Sequence, residues 1–156
     1  MHSIITESDI ELAALEILEG LGYEVLHGPN IAPAPDGKHP ERQSYSDVVL
    51  LDRLKSAIDR INPKIPADAK EEALKIVLRL FSQNLAENNR QFHNMLVNGV
   101  DVEYRLDDRI IGDKIWLFDF KDIENNEFLV VNQFTVIEDN NNEAQTDTLT
   151  FGKYPL

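Results

Sequence analysis

Asn98-Gly99-Val100-Asp101-Val102-Glu103-Tyr104 is where the chain changes its period, and the reading of this stretch decides the fold. Val100, Val102 and Tyr104 alternate with Asp101 and Glu103, the two-residue repeat of a half-buried strand. Upstream the apolar residues recur at helical spacing instead. Leu50, Leu54, Ile58 and Ile61 make one stripe, stopped by Asn62-Pro63. Pro66 opens a second helix at a first-turn position, with Ala69, Ala73, Ile76, Val77 and Leu80 on its inner face. Leu85, Phe92, Met95 and Leu96 mark a third, closed by Asn98-Gly99. Each stripe reads as core rather than as a cofactor pocket. Downstream, Ile115 to Phe120 and Phe128 to Ile137 are strand-prone runs separated by the turn-rich Lys121-Asp122-Ile123-Glu124-Asn125-Asn126. Asp139-Asn140-Asn141-Asn142 is a further turn, Thr148 to Phe151 a last strand, and Gly152-Lys153-Tyr154 a hairpin tip. The expected fold is therefore α/β in the α+β sense, with helices packed on a mixed or antiparallel sheet.

The amino-terminal end adds one more helix. Ser8 and Glu11 form an S-x-x-E capping box, Ile10, Ala14, Ile17 and Leu21 recur at helical spacing, and Gly20 and Gly22 end the run. Tyr23 to His27 reads as a short strand. The following Gly28 to Pro40, with four prolines and two glycines, can be neither helix nor central strand. No internal repeat or linker divides the chain, so residues 1–156 read as a single domain.

Composition narrows the function classes. An apolar share of 42% and a charged share of 28% are those of a folded globular protein. No run of about 18 apolar residues crosses a membrane, and no basic segment followed by an apolar core marks a secretory signal. The absence of cysteine excludes disulfides and thiolate zinc sites and suits a cytoplasmic protein. A net charge of −13, from 28 acidic and 15 basic side chains, predicts weak binding to duplex DNA by the chain alone.

Several chemistries lack their residues. There is no G-x-x-x-x-G-K-[ST] phosphate loop and no G-x-G-x-x-G. His2, His27, His39 and His93 show no H-x-x-x-H pairing, which argues against a histidine metal site. Ser44 and Ser46 lie near Tyr45 and Asp47 without the context of a nucleophile elbow. Carboxylates remain. Glu11 shares a helical stripe with Ala14, Leu15 and Leu18, so it is a boundary charge reaching water or an ion ligand; composition favours the former. Asp147, after a polar turn, reads by itself as a turn residue.

The order of short motifs resembles the amino-terminal domain of type I restriction R subunits. It runs through Glu7-Ser8-Asp9-Ile10-Glu11, Leu21-Gly22-Tyr23, His27-Gly28-Pro29 and Arg42-Gln43-Ser44-Tyr45-Ser46-Asp47-Val48-Val49-Leu50. It continues through Asn89-Arg90-Gln91-Phe92-His93, Gly99 to Arg105 and Asn125-Asn126-Glu127-Phe128, and ends on Val130-Val131-Asn132-Gln133-Phe134-Thr135-Val136-Ile137-Glu138, its most specific piece. The resemblance covers nearly the whole chain. It implies a restriction-endonuclease-like nuclease of the P-D…(D/E)-x-K kind, in which two carboxylates hold Mg²⁺ and a lysine stands beside the attacking water. Asp147 matches the family's Asp, with Thr146 in place of the usual proline, and Glu11 matches the family's helix acid. Both are thus expected as catalytic Mg²⁺ ligands.

The family's E-x-K lies on the strand after the hairpin, where this chain reads Tyr154-Pro155-Leu156. Lys153 cannot replace that lysine, since Phe151 stands where its Glu should be. The core is therefore expected to be incomplete and silent by itself. The resemblance also implies a parent enzyme that cleaves DNA with Mg²⁺ and ATP, the ATP serving motor domains absent here, beside methyltransferase and specificity subunits. Two other classes stay open. One is a non-catalytic assembly module of that complex, suggested by the acidic surface and an unpaired sheet edge. The other is an acidic DNA mimic that inhibits DNA-binding proteins, suggested by charge alone.

Overall fold

The computed structural model describes residues 6–79, 85–137 and 143–144, the side chains of 85, 86, 143 and 144 excepted. The described helices are α1 (Glu7–Gly20), α2 (Leu51–Ile61), α3 (Ala67–Arg79) and α4 (Leu85–Asn98). The strands are β1 (Glu24–His27), β2 (Val100–Leu106), β3 (Arg109–Ile115), β4 (Leu129–Asn132), β5 (Val136–Ile137) and β6 (Glu143–Ala144). Helices thus combine with a parallel pair, β1–β4, and two antiparallel pairs, β2–β3 and β5–β6. The fold is the expected mixed α/β one. The described residues gather into two compact units, 6–52 with 127–137 and 143–144, and 53–79 with 85–126.

In the first unit, α1 starts two residues earlier than its sequence signal. Thr6, not Ser8, is the N-cap, and its box partner is Asp9, not Glu11. The Thr6 N–H and hydroxyl donate to Asp9 Oδ2 at 2.9 and 2.7 Å, and the Asp9 N–H donates to Thr6 Oγ1 at 3.3 Å. These bonds to its carboxylate hold Asp9 below the usual carboxylate range. The shift of register releases Glu11 from capping. The helix ends as expected, with Leu21 as C-cap and Gly22 at φ +90°.

The apolar stripe of α1 is a second correction. Ile10, Ile17 and Leu21 are 61, 64 and 70% exposed rather than core. The half-buried side carries Glu11, Ala14, Leu15 and Leu18. Spacing places residues on one face of a helix without saying which face the rest of the unit covers. Next, β1 pairs with β4 from Glu24↔Leu129 to His27↔Asn132. Leu129, Val130 and Val131 are all buried, the continuous apolar run expected of parallel strands. The proline-rich loop after β1 is ordered by burial of Ile31, Ala32 and Pro33, and its first residues, Gly28–Asn30, make a 3-10 turn.

The second unit confirms the change of period at Val100. Gly99, at φ +76°, closes α4, and β2 buries Val100 and Val102 while Asp101 and Glu103 face out. Its partner lies earlier than the sequence indicated. Asp107 and Asp108, at φ +48° and +60°, form a two-residue turn, so β3 runs from Arg109 and ends at Ile115. Trp116 to Phe120, expected as strand, leaves the sheet because Asn62 takes both backbone groups of Trp116. The run from Phe128 to Ile137 is likewise broken between Asn132 and Val136, where Gln133 adopts φ +52°. Pro66 stands just before α3 instead of inside its first turn, and α3 packs on β2. It buries Ala69, Ala73, Leu74 and Val77; Ile76 is only half-buried, and Leu80 lies outside the described residues. On α4, Phe92, Met95 and Leu96 are half-buried.

Residues 116–126 form a braced loop. The buried Asn126 accepts from the Asp119 N–H and donates to the Asp119, Asp122 and Ile123 carbonyls. Asp119 accepts from Asn125 Nδ2 and from the N–H groups of Lys121 and Asp122. Those bonds, Asn125's first, lower the Asp119 pKa below the ordinary 3.8. A depressed carboxylate stabilises above its unfolded pKa, and that contribution is lost as pH falls through the folded value. The loop should therefore lose part of its stability as pH falls below the ordinary carboxylate value, as read by Trp116 fluorescence. In Asp119→Asn that acid transition should disappear.

Candidate functional site

The parallel pair brings two polar residues side by side. His27 and Asn132 are partners in the register at the carboxyl ends of β1 and β4, where open α/β sheets bind ligands. One backbone feature marks how closely the strand ends meet. A Cβ on Gly28 would press on the Gln133 carbonyl oxygen and lie 2.7 Å from the Gln133 carbonyl carbon and 2.9 Å from Asn132 O. Only glycine lets the chains approach so closely.

Helix α1 delivers the third member from its half-buried side. Asn132 Nδ2 donates to Glu11 Oε1 at 3.0 Å, and Asn132 Oδ1 lies 3.1 Å from His27 Nδ1. Glu11, Asn132 and His27 thus form one polar chain across a helix and two strands. Glu11 Oε2 has no hydrogen bond among the described residues. Glu11 therefore fits both readings of it, a half-buried charge at the boundary and a carboxylate with one oxygen left for an ion.

A second polar group belongs to the loop from Asp36 to Asp47. The Asp47 carboxylate accepts from the N–H groups of Gln43 and Ser44 at 3.0 and 2.8 Å. Tyr45 donates to Asp36 Oδ2 at 2.9 Å, a bond that raises the tyrosine pKa. The Tyr45 carbonyl accepts from the Ile137 N–H, tying the loop to β5. Arg42 is buried with its guanidinium 4.0 Å from the Phe134 ring centroid and 5.2 Å from that of Tyr45. Its Nη1 donates weakly to Asp47 O at 3.4 Å. Burial pulls its pKa below the ordinary value, opposed by Tyr45 and Asp47. Tyr45 and Asp47 act here on their own loop and on β5, with no ligand geometry between them.

Of the two carboxylates expected as metal ligands, Glu11 is at the strand ends, while Asp147 lies outside the described residues, as do Thr146, Lys153, the 139–142 turn, the Thr148 to Phe151 strand and the Gly152-Lys153-Tyr154 tip. No group of three His, Cys, Asp or Glu side chains suited to a metal occurs among the described residues. The chain's three Asp-x-Lys triplets, at Asp36, Asp68 and Asp119, sit in a loop, at the start of α3 and in the braced loop; none is on a strand. His27 and Asn132 were missed as a pair. Their signal is the register of β1 on β4, which no local spacing records.

The strand-end layout defines an α/β protein with a helix carboxylate at the carboxyl edge of a parallel pair. Residues 4–153 match the family described as "Type I restriction enzyme R protein N terminus", and the chain belongs to that family. It is 35% identical over 127 residues to the putative type I restriction enzyme MjaIXP endonuclease subunit of Methanocaldococcus jannaschii, covering 81% of this chain and 12% of the relative. It is 32% identical over 133 residues to the type I restriction enzyme HindI endonuclease subunit of Haemophilus influenzae, covering 85% of this chain and 12% of that subunit. The chain thus spans about 12% of the length of these curated relatives. No solved structure gives a significant match. No helix among the described residues is long and apolar enough to cross a membrane.

Proposed function

We propose that the chain supplies Glu11, and Asp147 with it, to a Mg²⁺-dependent DNA-cleaving site of an R subunit, residues 1–156 being the amino-terminal part of one nuclease domain. The parent works with methyltransferase and specificity subunits and an ATP-driven motor; the chain alone does not cut DNA. The observation that carries this reading is the placing of Glu11 at the carboxyl ends of β1 and β4 by its bond from Asn132. A carboxylate oxygen is the hard donor Mg²⁺ prefers, and Glu11 Oε2 is not engaged by Asn132. Bound there, Mg²⁺ would activate water and stabilise charge on a phosphate. Asn132 orients the carboxylate.

Charge supports dependence on partners for DNA contact. Among the described side chains the first unit carries 2 basic against 11 acidic, the second 12 against 13. A surface that repels phosphate needs cations supplied by other parts of the complex.

A plasmid-nicking assay with Mg²⁺ tests the proposal on this chain and on one lengthened through the strand expected to carry the E-x-K. Cleavage is expected only in the longer chain and should vanish in its Glu11→Gln variant. Cleavage by the short chain, or by longer Glu11→Gln, would refute the assignment. The exposed Ile10, Ile17 and Leu21 favour a second reading, an assembly module that docks through α1. Under it, Ile17→Glu should leave the fold intact and prevent complex formation with the other subunits.

A further inference from the structure

We infer that Arg42 is a docking point for a carboxylate: the free edge of its guanidinium, Nε–H beside Nη2–H, takes the two oxygens of an Asp or Glu side chain presented by another part of the assembled enzyme. The site lies in the loop from Asp36 to Asp47 and does not rest on the reading of Glu11.

Arg42 is only 6% exposed, yet its Nε and Nη2 are buried without a hydrogen-bond partner among the described residues. Only Nη1 is used, in the weak 3.4 Å bond to Asp47 O. The two idle atoms are the pair whose N–H bonds run parallel from one edge of the guanidinium, the fork that a carboxylate meets with both oxygens. A guanidinium keeps its proton at any ordinary pH, so the buried charge cannot be shed. Such a charge with idle donors is costly until an anion meets it. The Phe134 and Tyr45 rings, with centroids 4.0 and 5.2 Å away, attract the cation but supply no such pair of acceptors.

Two acids of the same loop are engaged elsewhere. Asp47 Oδ2 accepts from the Gln43 and Ser44 N–H groups, and Asp36 Oδ2 accepts from the Tyr45 hydroxyl. An acidic side chain suits the free edge better than a nucleic-acid backbone does. With 2 basic against 11 acidic side chains among its described residues, the first unit repels a strand of phosphates far more than a single carboxylate. Of the two rings beside the guanidinium, Phe134 is buried and Tyr45 half-buried, so the carboxylate enters on the Tyr45 side. There the ring is tethered through one exposed bond, from its hydroxyl to Asp36 at 2.9 Å.

Acetate is the probe, added to the 156-residue chain in place of chloride at constant ionic strength. Proton–nitrogen correlation spectra of the arginine side chains should show the Arg42 Nε–H moving downfield and saturating. The exposed Arg90, already paired with Glu87, should move little. Acetate should also raise the urea midpoint above its value in chloride. Arg42→Lys, which keeps the charge and loses the fork, should bind acetate about tenfold more weakly, the loss of one charge-assisted hydrogen bond. An Arg42 signal that drifts alike in acetate and chloride would overturn the inference. So would one that is already hydrogen-bonded in chloride and ignores acetate. Inorganic phosphate binding more tightly than acetate would also overturn it, replacing the acidic side chain by a phosphate-bearing partner. None of these readouts uses Mg²⁺ or DNA, so the docking site and the nuclease reading can fail separately.

Discussion

Gly28→Ala is expected to lower the stability of the first unit by about 3 kcal/mol or more, the upper end of what overpacking costs. The added methyl would meet the backbone of Gln133 and Asn132, not a side chain that could rotate away. Relief therefore requires β1 and β4 to separate at the end where His27 pairs with Asn132. Four register pairs join these strands, and their loss at one end would expose the buried Val131 as well. Against a total of roughly 5–15 kcal/mol for a domain, such a loss is large. Urea denaturation followed by far-ultraviolet circular dichroism measures it, and Gly20→Ala is the control. A Cβ on Gly20, at the last residue of α1, meets nothing within 4 Å, so that variant should be neutral or slightly more stable. Equal midpoints for Gly28→Ala and Gly20→Ala would show that the strand ends do not close on each other as described.

The contrast between these glycines illustrates what the sequence could tell. Gly20 and Gly22 were legible as the end of α1 because a helix terminus is a local event. The close packing at Gly28 was not, since it depends on Gln133, over a hundred residues away. The same division runs through the rest of the fold. The change of period at Val100 identified β2, and the polar run at Lys121 to Asn126 identified a turn, because both are written in neighbouring residues. The start of β3 was misplaced for want of weight on Asp107-Asp108, a two-residue turn that prefers aspartate and that a reading by turn chemistry could have found. The exposed stripe of α1 was misread for a different reason. Ile10, Ile17 and Leu21 are more apolar than the opposite side, yet packing chose the side with Glu11, Leu15 and Leu18. Glu11 was singled out from its place on that stripe and from the family resemblance together. Its partner Asn132 became visible only when β1 and β4 were laid in register.

In the second unit, Asn62→Ala is expected to cost about 3–4 kcal/mol, the sum of leaving two or three backbone groups without partners. Asn62 is 4% exposed and uses its whole amide. Nδ2 donates to Ile58 O at 2.9 Å and to Trp116 O at 2.8 Å, while Oδ1 accepts from the Trp116 N–H at 2.8 Å. One side chain therefore ends α2 and ends β3, since Trp116 cannot continue a ladder with both its groups taken. The sequence showed Asn62-Pro63 as a helix stop, and proline suffices for that. If stopping the helix were the only role, alanine would be tolerated within a few tenths of a kcal/mol. Asn62→Asp separates the two roles further. It keeps an acceptor for the Trp116 N–H and places a carboxylate oxygen against the carbonyls of Ile58 and Trp116, so it should destabilise at least as much as alanine. Trp116 is the chain's single tryptophan, which makes its fluorescence a direct reporter of this junction. Both variants should show a lower denaturation midpoint and a red-shifted native emission. An aspartate variant as stable as the parent would mean that the amide nitrogen makes neither bond, and that β3 ends at Ile115 for some other cause.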